Sequence, residues 1–399
     1  MTDNTSRIRP LLALLMVMAF GYFLMHDLTG GTLFAHDARD SYTLQTANWL
    51  GGRMYVENGE DYPWLELAIF EGRYYVSFPP LPSVVLLPFV LIWGMNTPNN
   101  LLIALYGLVS AVLAYCILLR RRRTPRTAAF WALFTVWGSN LLWVTTSGGV
   151  WFQAQALNFV FCLAGVLAAV SGHKAWSATL LALAVGCRPF SAIFLPVFYL
   201  WFAWEDMDER GFFPAMLRQW QCLIGPSVVA LCLMGYNFAR FGNPLEFGHN
   251  YLPEFTRTET GQFHLTYLLP NLKNMFLSPI SMEEGRLKFD IFGSFPFYIA
   301  NPLFLVLFVR QAQNLLRKNF SAQGILLSAG ITLGLLFLCT HRTLGGWQFG
   351  ARYTCDLLPF ALLYIAEKGP NKLTNWEFCL GGMAVAFNAY GFLYMYLYG

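Results

Sequence analysis

The chain has 399 residues, 56% of them hydrophobic and only 12% charged, with a formal net charge of +4. Soluble domains carry roughly 25% charged residues, so this composition excludes an ordinary soluble globular protein. Apolar runs long enough to cross a bilayer, about 20 residues, recur from end to end.

Arg7 and Arg9 precede the first apolar run, at 11–26. No small-residue cleavage site follows it, so it reads as a retained span rather than a removable leader. Further spans are expected at 100–119, 127–146, 151–170, 219–240, 323–340 and 376–397, with shorter ones at 175–187, 190–204, 296–309 and 353–366. The fold class is an all-α polytopic membrane protein with about 11 transmembrane helices. It is read as one transmembrane domain over 1–399, with outer loops at 27–99 and 241–295. Arg120, Arg121, Arg122, Arg123 and Arg126 form a basic cluster that the positive-inside rule assigns to the cytoplasm. The cluster is short and abuts a span, which argues against a nucleic-acid partner. The segment 80–95, with Pro80, Pro82 and Pro88, would reverse this orientation if it crossed, and is read instead as a half-inserted outer helix. The N-terminus is then cytoplasmic, the C-terminus outside, and a bacterial inner membrane is the expected location. The eight cysteines lie in or beside apolar segments with no CxxC pair, as packing residues rather than a disulfide framework.

The first outer loop is the most acidic part of the chain. Residues 36–83 hold Asp37, Asp40, Glu57, Glu60, Asp61, Glu66 and Glu71 out of 22 acids in all. Asp37 and Asp40 open an amphipathic helix expected over 38–50, where the helix dipole favours a carboxylate. An N-cap role accounts for one of them. Both stand beside Arg39 and Tyr42, which suggests a base site with those two as substrate contacts. From Glu66 to Ser77 the alternation reads as a hairpin turning at Glu71-Gly72. Glu66, Arg73 and Tyr75 are candidates to line a sugar pocket, with plain hairpin surface as the alternative.

Gln153 follows the Gly148-Gly149 break at the outer end of a span, where a substrate contact competes with an ordinary interfacial role. Arg188 precedes Pro189 between two short apolar runs. An ionisable group at membrane depth is costly, and a guanidinium suits a phosphate bidentately; snorkelling is the alternative. His249 lies in the second loop. The run HRTLGGWQFGARYTCDLLPF contributes Gln348, Arg352 and Tyr353 as substrate contacts. Arg352 and Asp356 are spaced for a one-turn ion pair, or Arg352 is a second phosphate ligand. His36, His249, His264 and His341 lack HxxxH or HxH spacing, so no metal ligands are assigned and a divalent cation has little behind it. GxxxxGK[ST], GxGxxG and GxSxG are all absent, so nucleotide-driven transport and soluble nucleotide-sugar chemistry lack support and no soluble cofactor is assigned.

The order of first span, acidic outer loop, hairpin, PPLP helix and basic turn resembles the GT-C superfamily of membrane glycosyltransferases. Asp37 with Gly52 keeps the Asp-to-Gly spacing of its aminoarabinose-transferase type, and Phe78-Pro79-Pro80-Leu81-Pro82 matches part of its Lys-Pro-Pro signature. Ala38 stands where that type has Glu, and no acid directly precedes Phe78, which leaves metal dependence and acceptor open. The resemblance implies a polyprenyl-phosphate sugar donor lying in membrane lipid, and a glycan, lipid or protein acceptor. It implies displacement at the anomeric carbon, with Arg188 and Arg352 on the departing phosphate and Asp37 or Asp40 deprotonating or orienting the acceptor hydroxyl. Two other readings compete: a lipid-linked sugar transporter, which needs ionisable groups deep in several spans, and an envelope assembly protein whose outer loops only dock.

Overall fold

The computed structural model describes residues 4–207, 211–256, 259–277, 281–283, 285–288, 294–343, 345, 349–369 and 372–398. Among these, six helices are long and apolar enough to cross a membrane: Thr5–Leu28, Asn99–Arg120, Val150–Val170, Gln221–Phe241, Ala322–Cys339 and Asn375–Leu397. Shorter apolar helices run over Leu81–Asn96, Lys174–Val185, Pro189–Trp204 and Leu303–Leu316. This is a multi-pass helical membrane protein.

One expected span is corrected. The run 127–146 is not continuous: helix Pro125–Trp137 stops at Gly138, and a short turn of helix at Leu141–Val144 follows. Ser139 and Asn140 between them are fully buried. Irregular backbone at membrane depth survives only where other protein groups satisfy it, and here the Asn140 amide donates to Asn301 Oδ1 at 3.1 Å. The span expected at 353–366 likewise begins as a 3-10 segment, Arg352–Leu357, before helix Leu358–Lys368.

Helices approach one another through small residues, as they do where lipid supplies no hydrophobic drive. A Cβ placed on Gly225 would lie 1.9 Å from Thr179 Oγ1, and one on Gly165 would lie 2.9 Å from Leu181. Those two contacts join Lys174–Val185 to the helices on either side of it.

Helix Asn99–Arg120 separates the two faces of the molecule. At its first residue, Asn99 Oδ1 accepts from the Asp37 amide at 2.8 Å and Asn99 Nδ2 donates to Asp40 Oδ2 at 2.8 Å. At its far end, about 33 Å away for 22 residues, Tyr115 donates to the Arg7 carbonyl. Beyond it Arg121 pairs with Glu367, and Arg123 donates to the carbonyls of Ala366 and Gly369. The acidic loop and the arginine cluster are therefore at opposite ends of the bundle.

Within the loop, helix Ser41–Leu50 packs on Leu81–Trp93. The antiparallel hairpin Leu67–Phe70 with Arg73–Val76 turns through Glu71 at φ 50° and Gly72 at φ 74°. Two left-handed residues in succession match the twist of a two-residue hairpin. A second short hairpin pairs Ser281–Glu283 with Arg286–Lys288.

Candidate active site

A cavity of about 450 Å³ opens on the face that carries the acidic loop. Its polar lining includes Glu66, Arg188, His249, His341 and Arg352, set among aromatic side chains. Phe190, Phe263 and Phe337 pack edge and face against one another as one wall, and Phe337 belongs to the span Ala322–Cys339.

Arg188 reaches the cavity because helix Lys174–Val185 ends at Gly186 and Pro189 starts a new 3-10 turn. The residue before a proline is pushed into extended backbone, and Arg188 has φ −144° and ψ 115°. Its Nε donates to Asp356 Oδ2 at 2.6 Å. Asp356 is itself held through Oδ1 by Gln155 Nε2 at 3.1 Å and Asn158 Nδ2 at 3.3 Å. Among the described residues no other hydrogen bond engages the Arg188 guanidinium, which leaves its terminal amino groups available at the cavity surface.

Asp356 thus pairs with Arg188 and not with Arg352, against the one-turn pairing the spacing suggested. The reason is the 3-10 geometry of Arg352–Leu357: at three residues per turn, side chains four apart no longer stack on one face. Arg352 instead donates through Nε to the Gly345 carbonyl at 3.0 Å and through Nη1 to Gln155 Oε1 at 3.3 Å. The two guanidinium carbons lie 4.8 Å (Arg188) and 4.9 Å (Arg352) from the centroid of the Tyr353 ring. That ring holds two cations in one cavity, close enough for attraction to the π face.

Across from them, Glu66 Oε2 accepts from Trp151 Nε1 at 2.9 Å. Burial raises the Glu66 carboxyl above its ordinary value, and the charge of Glu254 adds to the rise. Burial pushes His249 and His341 down to about 4. Both imidazoles are therefore neutral at pH 7; the ring nitrogens of His341 bond Gln262 Nε2 at 3.0 Å and the Thr343 carbonyl at 2.6 Å, which fixes that ring in the cavity wall.

Of the residues expected in the site, Glu66, Arg188, His249, Arg352 and Tyr353 line this cavity. Gln348 lies outside the described residues. The others do not line it, each for a local reason. Asp40 is the N-cap of Ser41–Leu50: Oδ1 accepts from the amides of Tyr42 at 2.9 Å and Thr43 at 3.2 Å, while Oδ2 faces Asn99. Asp37 is half-buried at the turn before Val150–Val170, where Oδ1 accepts from the Arg39 amide and Oδ2 from Ser147 Oγ at 2.6 Å. Arg39 is exposed, and its carbonyl accepts from the Val150 amide. Tyr42 is fully buried with its ring against Phe78. Strand alternation pairs Tyr75 with Ala68, on the side that packs Phe241, and Arg73 lies over the Tyr55 ring. Gln153 donates to the Gly148 carbonyl at 2.6 Å. Asp37 and Asp40 therefore lie outside the lining of this cavity.

Gln155 and Asn158, which hold Asp356, were missed in the sequence. Their signal was legible: three amides, Gln153, Gln155 and Asn158, fall within one apolar span, where polar groups are expensive. Among the described residues no group of three or more His, Cys, Asp or Glu is arranged to hold a metal ion.

No protein-family model and no curated protein matches the chain. Solved structures do. The apo form of the Archaeoglobus fulgidus oligosaccharyltransferase is similar with a TM-score of 0.53 at 10% identity, over 95% of this chain and 55% of that one. The fold is GT-C. ArnT from Cupriavidus metallidurans, bound to undecaprenyl phosphate, is similar with a TM-score of 0.48 at 15% identity, over 89% of this chain and 59% of that one. The chain therefore spans less than two thirds of the length of either structure. The first-loop segment that carries the PPLP helix also supplies Glu66, Phe78 and Pro79 to the cavity.

Proposed function

We propose that this protein is a membrane glycosyltransferase that moves a sugar from a polyprenyl-phosphate donor to a hydroxyl acceptor on the outer face of a bacterial inner membrane. The N-terminus is cytoplasmic in this reading, and the chain works as one transmembrane domain. The observation that carries the reading is the convergence of Arg188 and Arg352 on the Tyr353 ring, in a cavity whose aromatic wall continues into a span.

A lipid phosphate needs donors and positive charge at one end and an apolar path at the other. Arg188 offers terminal amino groups that Asp356 holds in place, so the donors are oriented before the ligand arrives. Preorganised charge of this kind favours the state in which the phosphate departs, because its negative charge grows as the anomeric bond breaks. The wall of Phe190, Phe263 and Phe337 gives the isoprenoid a route between helices. Neutral His249 offers a hydrogen bond to a sugar hydroxyl. Asp37, half-buried at the Ser147 turn, orients the acceptor at the rim, and Asp40 acts through the helix it caps.

The full chain in lipid nanodiscs is expected to bind undecaprenyl phosphate. Arg188→Ala and Arg352→Ala should each weaken that binding by roughly 10-fold or more, the scale of a hydrogen bond to a charged group. Binding of undecaprenyl phosphate that is absent in the wild type, or equal in both variants, overturns the assignment.

A further inference from the structure

We infer that Glu66, rather than either first-loop aspartate, is the general base that takes the acceptor proton; the inference rests on the glycosyltransferase reading above. Asp356 faces Arg188 and is spoken for by an ion pair and two amides. Glu246 uses one oxygen on the Gly248 amide and the other on Asn250 Nδ2. Glu254 is exposed at the rim. Asp37 and Asp40 stand outside the lining, with both oxygens of each engaged. Glu66 is half-buried within the cavity, and Trp151 fixes one oxygen. Its other oxygen has no hydrogen-bond partner among the described residues.

A base must be in hydrogen-bond reach of the proton it removes and be ionised when the substrate arrives. Glu66 meets the first condition by lining the same cavity as the two arginines. The indole of Trp151 holds the carboxylate so that a single oxygen faces inward. Burial raises its affinity for a proton, which makes it a stronger base than an exposed carboxylate. The acceptor O–H proton passes to Glu66 Oε1, and the acceptor oxygen pair forms the new bond to the anomeric carbon. The bond from that carbon to the phosphate oxygen breaks, and its electron pair stays on the polyprenyl phosphate, opposite Arg188 and Arg352.

The test uses membranes from cells lacking this chain, which retain the native acceptor, supplemented with the purified full-length protein. The donors are undecaprenyl-phosphate-linked radiolabelled hexoses and aminopentoses. Label transferred to membrane acceptors is measured for wild type, Glu66→Gln, Glu66→Asp and Glu60→Gln, and undecaprenyl phosphate affinity is measured for each in nanodiscs. Glu66→Gln keeps an oxygen for Trp151 to donate to, so the hairpin stays anchored. Its transfer rate should fall about 100- to 10,000-fold, the usual contribution of general-base catalysis, with undecaprenyl phosphate affinity unchanged or tighter. Glu66→Asp should retain an intermediate rate, and exposed Glu60→Gln should match wild type. If Glu66→Gln fails to fold, Glu66→Asp decides: a lowered rate at unchanged affinity supports the inference. Transfer within about threefold of wild type in the Glu66 variants, or loss of rate that follows loss of affinity, overturns the base assignment and leaves the glycosyltransferase reading standing. Wild type that neither binds undecaprenyl phosphate nor transfers label from any donor overturns both.

Discussion

Arg188 and Asp356 are 168 residues apart in the chain and 2.6 Å apart in space. Removing one partner of a buried pair leaves an uncompensated charge and costs about 3–5 kcal/mol, whereas removing both often costs far less. Asp356→Ala should therefore lower the unfolding free energy in detergent more than the double change Arg188→Ala with Asp356→Ala does. Additive effects in a double-mutant cycle would contradict the pairing. The histidines make a second prediction. The folded-state values of His249 and His341, about 4, lie below the ordinary 6.5, so folding favours their neutral forms. Their contribution to stability is complete above pH 6.5 and is lost as pH falls towards 4. For His341, only 5% exposed, the loss is on the order of 3 kcal/mol; half-buried His249 loses less. The melting temperature should drop across that window, and His341→Gln should flatten the drop. A pH profile identical in wild type and His341→Gln would sink the prediction.

Among the elements, helix Ser41–Leu50 shows how one side chain can carry either of two meanings in a sequence. Asp40 sits just before an amphipathic run, and both a cap and a catalytic carboxylate fit that position. The structure gives it the cap. Asp40→Ala should cost about 1–2 kcal/mol and speed hydrogen exchange at the Tyr42 and Thr43 amides; unchanged exchange there would rule the cap out. The hairpin was fully legible, because alternation and a Glu-Gly turn are local signals. Which of its faces meets the cavity was not, since that depends on Phe241 arriving from a helix far along the chain. Helix contacts behave the same way. Gly225 reads as one glycine among 34 until Thr179 is found against it. Gly225→Leu should separate Gln221–Phe241 from Lys174–Val185 and lower the melting temperature by several degrees, whereas Gly235→Leu, with open space around its Cβ position, should not.

Across the whole molecule, the arginine cluster and the acidic loop occupy opposite ends of a single 22-residue helix. Basic residues that do not cross the membrane during insertion accumulate on one side, which makes this separation a statement about sidedness. Cysteines introduced at exposed positions test it in intact cells with a membrane-impermeant thiol reagent: Asp61→Cys should label from outside, and Arg122→Cys only after the membrane is opened. Labelling of both from the same side would refute the orientation and, with it, an outer active site.

Membrane embedding, the approximate spans, the hairpin and the polarity of the two faces were determined by the sequence alone, because each follows from hydropathy, alternation or charge over short stretches. The membership of the cavity was decided only by tertiary structure. Arg188, Arg352, Glu66 and His249 come from segments tens to hundreds of residues apart, and local patterning carries no record of such convergence. Asp37 and Asp40 show the complementary limit: in a sequence, a carboxylate held by backbone amides and neighbouring side chains looks the same as one left free to accept a proton.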